Sequence, residues 1–248
     1  MRRKLVPNQK THYKLDMSMK TTVTTPDGTP SPESDTELTG EYTMTLGDAV
    51  KDGKIPIEIK SSHMHVQSDS DTPSSDPADV VFNAFMDDRN TMSGIKVESS
   101  DPSAESMANS MSSMLNGVSA FPEKKVQPGD TWEVSCPLSV MGMKDIQLTL
   151  HFDGERTEDG QSYWVVHVDQ DIPMEMDLAA VARATGQPGS TPSMTVTGTM
   201  HMSMEALFDK TGLTHSLQSE TKFDMGVDGP QGGQVRIHTD QITKMTED

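Results

Sequence analysis

Two short segments combine histidine with methionine, side chains that together suit Cu(I). Residues 63–65 read His-Met-His and residues 200–202 read Met-His-Met. In a strand, however, successive side chains point to opposite faces, so His63 and His65 share one face and the methionine between them takes the other. We therefore expect the histidines to face solvent, and we keep copper binding by His63, His65 and His201 as an alternative hypothesis.

The remaining reactive side chains do not form a catalytic pattern. Cys136, the one cysteine, lies in an alternating segment without a basic neighbour to stabilise its thiolate, which predicts an inert thiol. The sequence has no Gly-x-Ser-x-Gly nucleophile turn and no glycine-rich phosphate loop. Acidic residues cluster within 69–79 and at Asp169 and Asp171, where we expect solvated loops, with a weak calcium site as the alternative. These patterns predict a protein that is not an enzyme and has no cofactor.

Methionine is the unusual residue of this chain, with 20 copies. It is flexible and polarizable, and it is frequent at apolar surfaces that bind varied ligands. We predict that a set of inward-facing methionines lines an apolar concavity that binds a lipid, an acyl chain or an apolar peptide. The alternative is that methionine replaces leucine and isoleucine in an ordinary core. The predicted lining residues are Met17, Met19, Met44, Met107, Met111, Met114, Met174, Met176, Met200, Met202 and Met204.

Most of these methionines fall in segments where apolar and polar residues alternate. Such alternation predicts strands with one buried face, and a sheet with one wet face is typically antiparallel. Residues 77–88 fit both strand and helix spacing, and we favour a strand. The alternating segments are 13–19, 42–46, 55–59, 148–152, 172–178, 200–204 and 223–227.

Turn residues separate these segments. Asp-Gly pairs are a strong hairpin signal, and they predict turns at 27–28, 52–53, 153–154 and 159–160. Stretches rich in proline, serine, aspartate and glycine predict loops at 25–35, 68–79 and 186–192.

Two segments carry helical signals instead. Asp101 can act as an N-cap, Gly117 is placed to end the helix, and three methionines between them form one apolar stripe. A shorter amphipathic helix is predicted at 177–186, ending at Gly186. The residues by themselves therefore predict a mainly antiparallel β protein of long hairpins with one or two short helices, at 101–117 and 177–186.

The composition bounds the class of protein. The chain has 248 residues, with 20 Lys+Arg against 38 Asp+Glu, for a net charge of −18, and 33% hydrophobic residues. Low hydrophobicity with net charge is typical of disorder, but the alternation favours a folded chain. One cysteine excludes a disulfide framework, and the negative charge argues against nucleic acid as a partner. The sequence contains no apolar run long enough to span a membrane.

The length suits one β-rich domain, residues 1–248. Residues 39–66 and 197–227 share a pattern of Thr-Gly, a strand with methionine, an Asp/Gly turn and a second strand. This pattern favours weakly repeated halves, 11–100 and 121–246, although hairpins built alike would look the same without duplication.

Three segments resemble a family of uncharacterised bacterial exported proteins, many of them lipoproteins. They are RRKLVPNQKTHYKL at 2–15, FPEKKVQPGDTWEV at 121–134 and ALFDKTGLTHS at 206–216. In that family a Gly-Asp-Thr-Trp element precedes a hairpin with a Phe-Asp…Gly-Leu turn. The matching positions are Pro122, Val126, Gly129, Asp130, Thr131, Trp132, Phe208, Asp209, Gly212 and Leu213.

The resemblance implies a fold like the curved, partly open β-barrels of envelope lipid and lipoprotein carriers, with helices on the concave side. It implies no catalytic activity. It also implies a periplasmic, outer-membrane-anchored or extracellular location in a bacterium. MRRKLVP has a positive start without an apolar stretch behind it, so we expect a chain that begins after its export signal, with a cytoplasmic protein as the alternative.

Together these inferences predict a non-catalytic exported protein that binds an apolar ligand or partner in a methionine-lined concavity. A structural or adhesive envelope domain without a small-molecule site is the first alternative. A periplasmic copper-binding protein is the second.

Overall fold

The computed structural model describes residues 1–69, 79–99, 120–136, 145–177, 195–228 and 234–248. The described residues contain strands and no helix. The strands are β1 (Lys10–Thr24), β2 (Ser34–Leu46), β3 (Lys54–Ser68), β4 (Val80–Asp87), β5 (Met92–Ser99), β6 (Thr131–Cys136), β7 (Ile146–Glu158), β8 (Gln161–Asp177), β9 (Thr195–Phe208), β10 (Thr214–Asp228) and β11 (Gln234–Glu247).

All eleven strands form one antiparallel sheet in the order β5-β4-β3-β2-β1-β11-β10-β9-β8-β7-β6. Two meanders, β1–β5 and β6–β11, are therefore joined where the first strand pairs with the last. That pairing runs from Tyr13 opposite Glu247 to Thr24 opposite Arg236. The sheet is not closed, since β5 and β6 each have a single neighbour. The predicted mainly antiparallel β fold of long hairpins is confirmed.

The strand register gathers most of the buried apolar residues on one face of the sheet, whereas Tyr163, Val165 and Leu207 form a small cluster on the other. Leu15 lies opposite Met245, for example, and Met204 lies opposite Val168. On this face one apolar cluster, which we call the β6–β9 cluster, comprises Phe121, Cys136, Ile146, Leu148, Leu150, Phe152, Val166, Val168, Ile172, Met200, Met202, Met204, Ala206 and Phe208. A second, the β1–β4 cluster, comprises Tyr13, Met44, Leu46, Ile55, Ile57, Ala84, Met86 and Leu213.

The N-terminal residues show that the sheet curves strongly. The Arg3 amide donates to the carbonyl of Asp88 at 2.7 Å, and the Lys4 amide donates to that of Thr211 at 2.6 Å. Asp88 follows β4 and Thr211 follows β9, and five strands separate these two in the sheet. In a flat sheet six spacings would place them about 29 Å apart. Adjacent residues can bridge them only because the apolar face is concave.

We call this the closed end of the molecule, marked by the turns at 88–91 and 209–213. The opposite end, near residues 25–33, is the open end. The face that carries the two clusters is the concave face, and the other is the convex face. Polar residues such as Lys14, Asp16 and Lys20 alternate with the apolar residues of β1 and lie on the convex face.

Three of the four predicted Asp-Gly turns are confirmed. Residues 27–28, 52–53 and 159–160 connect successive strands, and Gly28, Gly53 and Gly160 all have positive φ. The prediction of a turn at 153–154 was wrong, because these residues lie inside β7. There they form a bulge, with Gly154 at φ 110° and a shift in the pairing with β8.

Other predictions have mixed outcomes. The preference for a strand within 77–88 is confirmed by β4, whereas β5 was not predicted at all. The predicted helix at 101–117 lies outside the described residues, and so does that at 177–186 apart from Asp177, which ends β8. The predicted loop at 186–192 also lies outside them. The single-domain boundary and the repeated halves stay predictions.

Candidate functional site

The strand register brings the predicted methionines of four strands onto the concave face. They come from β1, β2, β8 and β9, and their pairings place them on the same side as the two apolar clusters. These residues are Met17, Met19, Met44, Met174, Met200, Met202 and Met204. Met176 pairs with Val196 along the same strand pair. Met107, Met111 and Met114 lie outside the described residues. That these side chains line a ligand site stays a prediction.

The packing of the concave face changes along β1. Tyr13 and Leu15, near the closed end, are only 5% and 7% exposed. Met17 and Met19, farther toward the open end, are half-buried, and so is Met174 on β8. The face is therefore filled near the closed end and retains accessible methionine surface farther out.

A strip of hydroxyl and amide side chains crosses the concave face between the clusters. Thr21 and Thr239 share a hydrogen bond at 3.1 Å, and Thr221 and Thr239 are buried. The side-chain amide of Gln241 donates to the Thr243 hydroxyl at 3.2 Å. Sequence reasoning missed this strip. Its signal was the period-two register of β11, which places these residues on the side of Ile237 and Met245. The lining is thus apolar on both flanks and polar along the middle.

The three segments that carry the family resemblance meet at the closed end. Phe121 is fully buried and packs edge-on against Phe208, with ring centroids 5.0 Å apart. Arg2, from the opening segment, donates to the carbonyls of Pro122 and Glu123, each at 2.5 Å. Segments far apart in the chain therefore build one structural unit.

The Phe-Asp…Gly-Leu element forms the turn between β9 and β10. Asp209 accepts hydrogen bonds from the amides of Thr211 and Leu213, both at 2.8 Å. Gly212 has a φ of 80°, which suits a residue without a side chain. The turn places Leu213, 5% exposed, in the β1–β4 cluster.

The Gly-Asp-Thr-Trp element forms a turn that starts β6. The backbone N–H of Gln127 donates to the Asp130 carboxylate at 2.7 Å, and Gly129 has a φ of 93°. Trp132 is half-buried against the β6–β9 cluster, and its indole N–H donates to the Ala120 carbonyl at 3.0 Å. The indole thus anchors β6 to the residues that precede it.

Arg3 is the most unusual side chain of the closed end, because it is charged and only 5% exposed. Its Nη1 donates to Asn90 Oδ1 at 2.9 Å, and its Nη2 lies 3.7 Å from Met44 Sδ. Its Nε is buried without a hydrogen bond. Burial lowers the pKa of Arg3, while the nearby Tyr13 and Asp209 act in the opposite sense. Sequence reasoning missed this residue, since a positive N-terminal stretch normally stays in water.

The histidines face solvent, as predicted, and the structure does not bring them together. His63 lies at a bulge in β3 with its side chain 80% exposed, and it pairs with Glu41 at 3.1 Å. His65 is exposed. His201, on the convex face of β9, contacts Asp171 at 2.9 Å. Four strands separate β3 from β9. Within the described ranges no group of three or more histidine, cysteine or acidic side chains is placed to hold a metal.

The other candidate reactive groups have structural surroundings. Cys136 is fully buried in the β6–β9 cluster, and burial raises its pKa to about 11, so the thiolate is disfavoured at neutral pH. Asp169 and Asp171 were expected in a loop but lie in β8, where Asp171 pairs with His201. Of the acidic segment 69–79, residues 70–78 lie outside the described part of the chain.

The chain is similar in structure to a known protein but matches no family by sequence. No protein-family model matches the chain. No curated protein matches it either. Lipovitellin, in a solved structure concerned with lipid–protein interactions, aligns with a TM-score of 0.53 and 15% sequence identity. The alignment covers 99% of this chain and 25% of that chain, so this protein spans a quarter of the lipovitellin chain. The similarity shows the fold.

In the described part of the chain, no helix has the length and apolarity needed to cross a membrane.

Proposed function

We propose that this protein binds a lipid or another apolar ligand on the methionine-lined concave face, without catalysing a reaction. One observation carries the proposal. Met17, Met19 and Met174 keep accessible surface on an apolar sheet face, and the described residues supply no helix or second sheet to cover it. A sheet that is apolar on one face must bury that face against something. A ligand would supply a contact that the described residues do not provide.

The chemistry of the lining supports this proposal. Methionine side chains adapt their shape to a flexible chain more readily than branched residues do. The strip around Thr239 and Gln241 offers hydrogen-bonding groups beside the apolar flanks. The lining therefore suits an amphipathic ligand better than a purely apolar one. The fold shared with lipovitellin, whose structure concerns lipid–protein interactions, is compatible with such a ligand.

The proposal includes a place in the bacterial envelope and membership of the exported family described above. The support for both is the resemblance of the segments at 2–15, 121–134 and 206–216. These three segments contact one another and form one structural unit at the closed end, so the matching residues share a role in building that end.

Uptake of Nile red, a neutral apolar fluorophore, tests the proposal. We expect saturable binding with a rise in fluorescence. In the double variant Met17→Gln/Met19→Gln, affinity should fall about 5–10-fold, since two apolar contacts on the concave face are replaced by amides. Both positions are half-buried, so the fold should tolerate the change.

Ile242→Gln is the matched control. Ile242 lies on the adjacent strand, opposite Ser18, but on the convex face with 43% of its surface exposed. Its replacement should leave Nile red binding unchanged. Absence of uptake by the wild-type protein, or equal losses in the two variants, would contradict binding on the concave face.

A docking domain without a small-molecule site is the second candidate. The observation that favours it is a groove of about 380 Å³ near the β5 edge. Phe85, 50% exposed, lies there beside Pro56 and Gly94. This candidate gains support if Nile red does not bind to the concave face.

A further inference from the structure

We propose that Arg3 anchors the anionic headgroup of the ligand, so that the ligand class is a single-chain anionic amphiphile such as a fatty acid. This inference rests on the proposed function and adds the chemistry of the headgroup and its position at the closed end.

Arg3 is a buried charge with unmet hydrogen-bonding capacity. A guanidinium has five N–H donors and forms paired hydrogen bonds with carboxylates and phosphates. Arg3 makes one side-chain hydrogen bond to oxygen, at Asn90, and one long contact to sulfur, at Met44. Its buried Nε–H has no acceptor. An isolated buried charge is costly and is normally paired.

The carboxylates near Arg3 in the described ranges do not pair with it. Asp209 acts on its charge, but the Asp209 oxygens already accept hydrogen bonds from Thr211 and Leu213 within their own turn. Glu247, opposite Tyr13, contacts His215 at 3.5 Å. Neither forms an ion pair with Arg3. An external anion is therefore the partner that the guanidinium lacks.

The position of Arg3 in the fold also suits a headgroup site. Met44 belongs to the β1–β4 cluster, and Arg3 also lies beside Gly212, close to Phe121 of the β6–β9 cluster. The Arg3 backbone thus passes where the two apolar flanks of the concave face meet, and its guanidinium lies against Met44 of the β1–β4 cluster. From Tyr13 to Met19 the face extends about 20 Å toward the open end. An acyl chain whose headgroup lies at Arg3 would pass along Tyr13 and Leu15, where the face is filled and would have to open, before it reaches the half-buried methionines.

Competition between amphiphiles of one chain length tests the inference. Laurate, dodecyl phosphate and 1-dodecanol would each be titrated against bound Nile red at about pH 8, where the first two are charged. We expect at least one of the anions to compete roughly 10-fold more strongly than the alcohol. In Arg3→Met this preference should disappear, and in Arg3→Lys part of it should remain. Arg2→Met, which removes a neighbouring exposed arginine, should keep it.

The outcomes separate this inference from the proposed function. Equal competition by anions and alcohol, or a preference that survives in Arg3→Met, overturns the role of Arg3 and leaves apolar binding standing. Failure of all three to displace bound Nile red overturns the role of Arg3 and the single-chain amphiphile as ligand, and absence of Nile red binding overturns the proposed function as well. The two anions distinguish a carboxylate from a phosphate headgroup.

A measurement on the wild-type protein covers the case in which Arg3→Met does not fold. Laurate labelled with carbon-13 at its carboxyl group can be titrated while bound, by NMR. A headgroup beside Arg3 should have a pKa below that of free laurate, since a guanidinium favours the charged form. A bound carboxyl with an unchanged or raised pKa would overturn the inference.

Discussion

Gly212 shows how a single residue supports the closed end. Its φ of 80° is unfavourable for other residues, and a Cβ atom there would lie 2.7 Å from Arg3 Cα and 2.9 Å from the Arg2 carbonyl oxygen. Backbone atoms cannot move aside as a flexible side chain can. The absence of a side chain at this position is what lets the N-terminal segment pass across the β9–β10 turn.

We expect Gly212→Ala to lower the free energy of unfolding by about 2–4 kcal/mol, from the left-handed backbone and the contact with Arg3 together. Gly160→Ala is the control, because Gly160 has the same φ of 80° but nothing within 4 Å. It should cost only about 1–2 kcal/mol. Urea unfolding of both variants measures the difference. Equal losses would mean that the N-terminal segment does not press on Gly212.

For single residues, the sequence predicted the face of the sheet on which a strand side chain lies, because local periodicity determines it. Alternation placed Met44 and Met200 on a buried face, because side-chain direction in a strand follows directly from position. It could not predict the burial of Arg3, which depends on two turns that are far apart in sequence. Asp153-Gly154 has the residue types of a hairpin turn, and only the continued pairing of β7 beyond it distinguishes a bulge from a turn.

At the scale of elements, the convex face carries a row of charges that crosses six strands. Each member lies directly opposite the next, and the signs mostly alternate. Opposite charges that face each other across strands favour one register over its slipped alternatives. The row is Asp35, Lys20, Asp240, Lys222, His201 and Asp171. The sequence shows these residues as alternating polar positions, but their alignment emerges only from the strand pairing.

His238, next to this row, gives a pH-dependent test of the same pairing. It contacts Asp224 at 2.7 Å and Asp240 at 3.3 Å, and chiefly the hydrogen bond to Asp224 raises its pKa above the ordinary value. A raised pKa in the folded state stabilises the protein below the ordinary histidine range. This contribution is lost as pH rises through the raised pKa.

We therefore expect Asp224→Asn to lower the pKa of His238 measured by NMR titration, partly rather than fully because Asp240 remains. The variant should lose more stability at about pH 5.5 than at about pH 8.5. The loss should stay below about 1 kcal/mol, because both side chains are largely exposed. Glu220→Gln, which changes an acid of the same face without a contact to His238, is the control. A greater loss at the higher pH would contradict the assigned pairing.

At the scale of the whole molecule, the sheet is open and its two edges differ from its centre. β5 and β6 have one neighbouring strand each, whereas β1 and β11 lie between long partners. Protection of amide protons follows from hydrogen bonding and local packing. The alternating segments predicted strands and long hairpins, but not which strands would be edges, because the pairing of β1 with β11 joins distant parts of the chain.

Hydrogen exchange should show this arrangement directly. We expect the slowest exchange in β1, β11, β10 and β9, and the fastest strand exchange in β5 and β6. Mass spectrometry of peptides from the native protein measures both. Edges as strongly protected as the central strands would mean that another chain or segment pairs with them.

The pairing of the first strand with the last also determines when the fold can be completed. β1 has two strand partners, β2 next in the chain and β11 at residues 234–247. During synthesis the meander β1–β5 can pair within itself, but the second edge of β1 has no partner until β11 has been synthesised. The contacts of Arg3 and Lys4 at the closed end likewise wait for Thr211. Arg3, Lys4 and β1 are thus synthesised well before the residues that complete their native contacts.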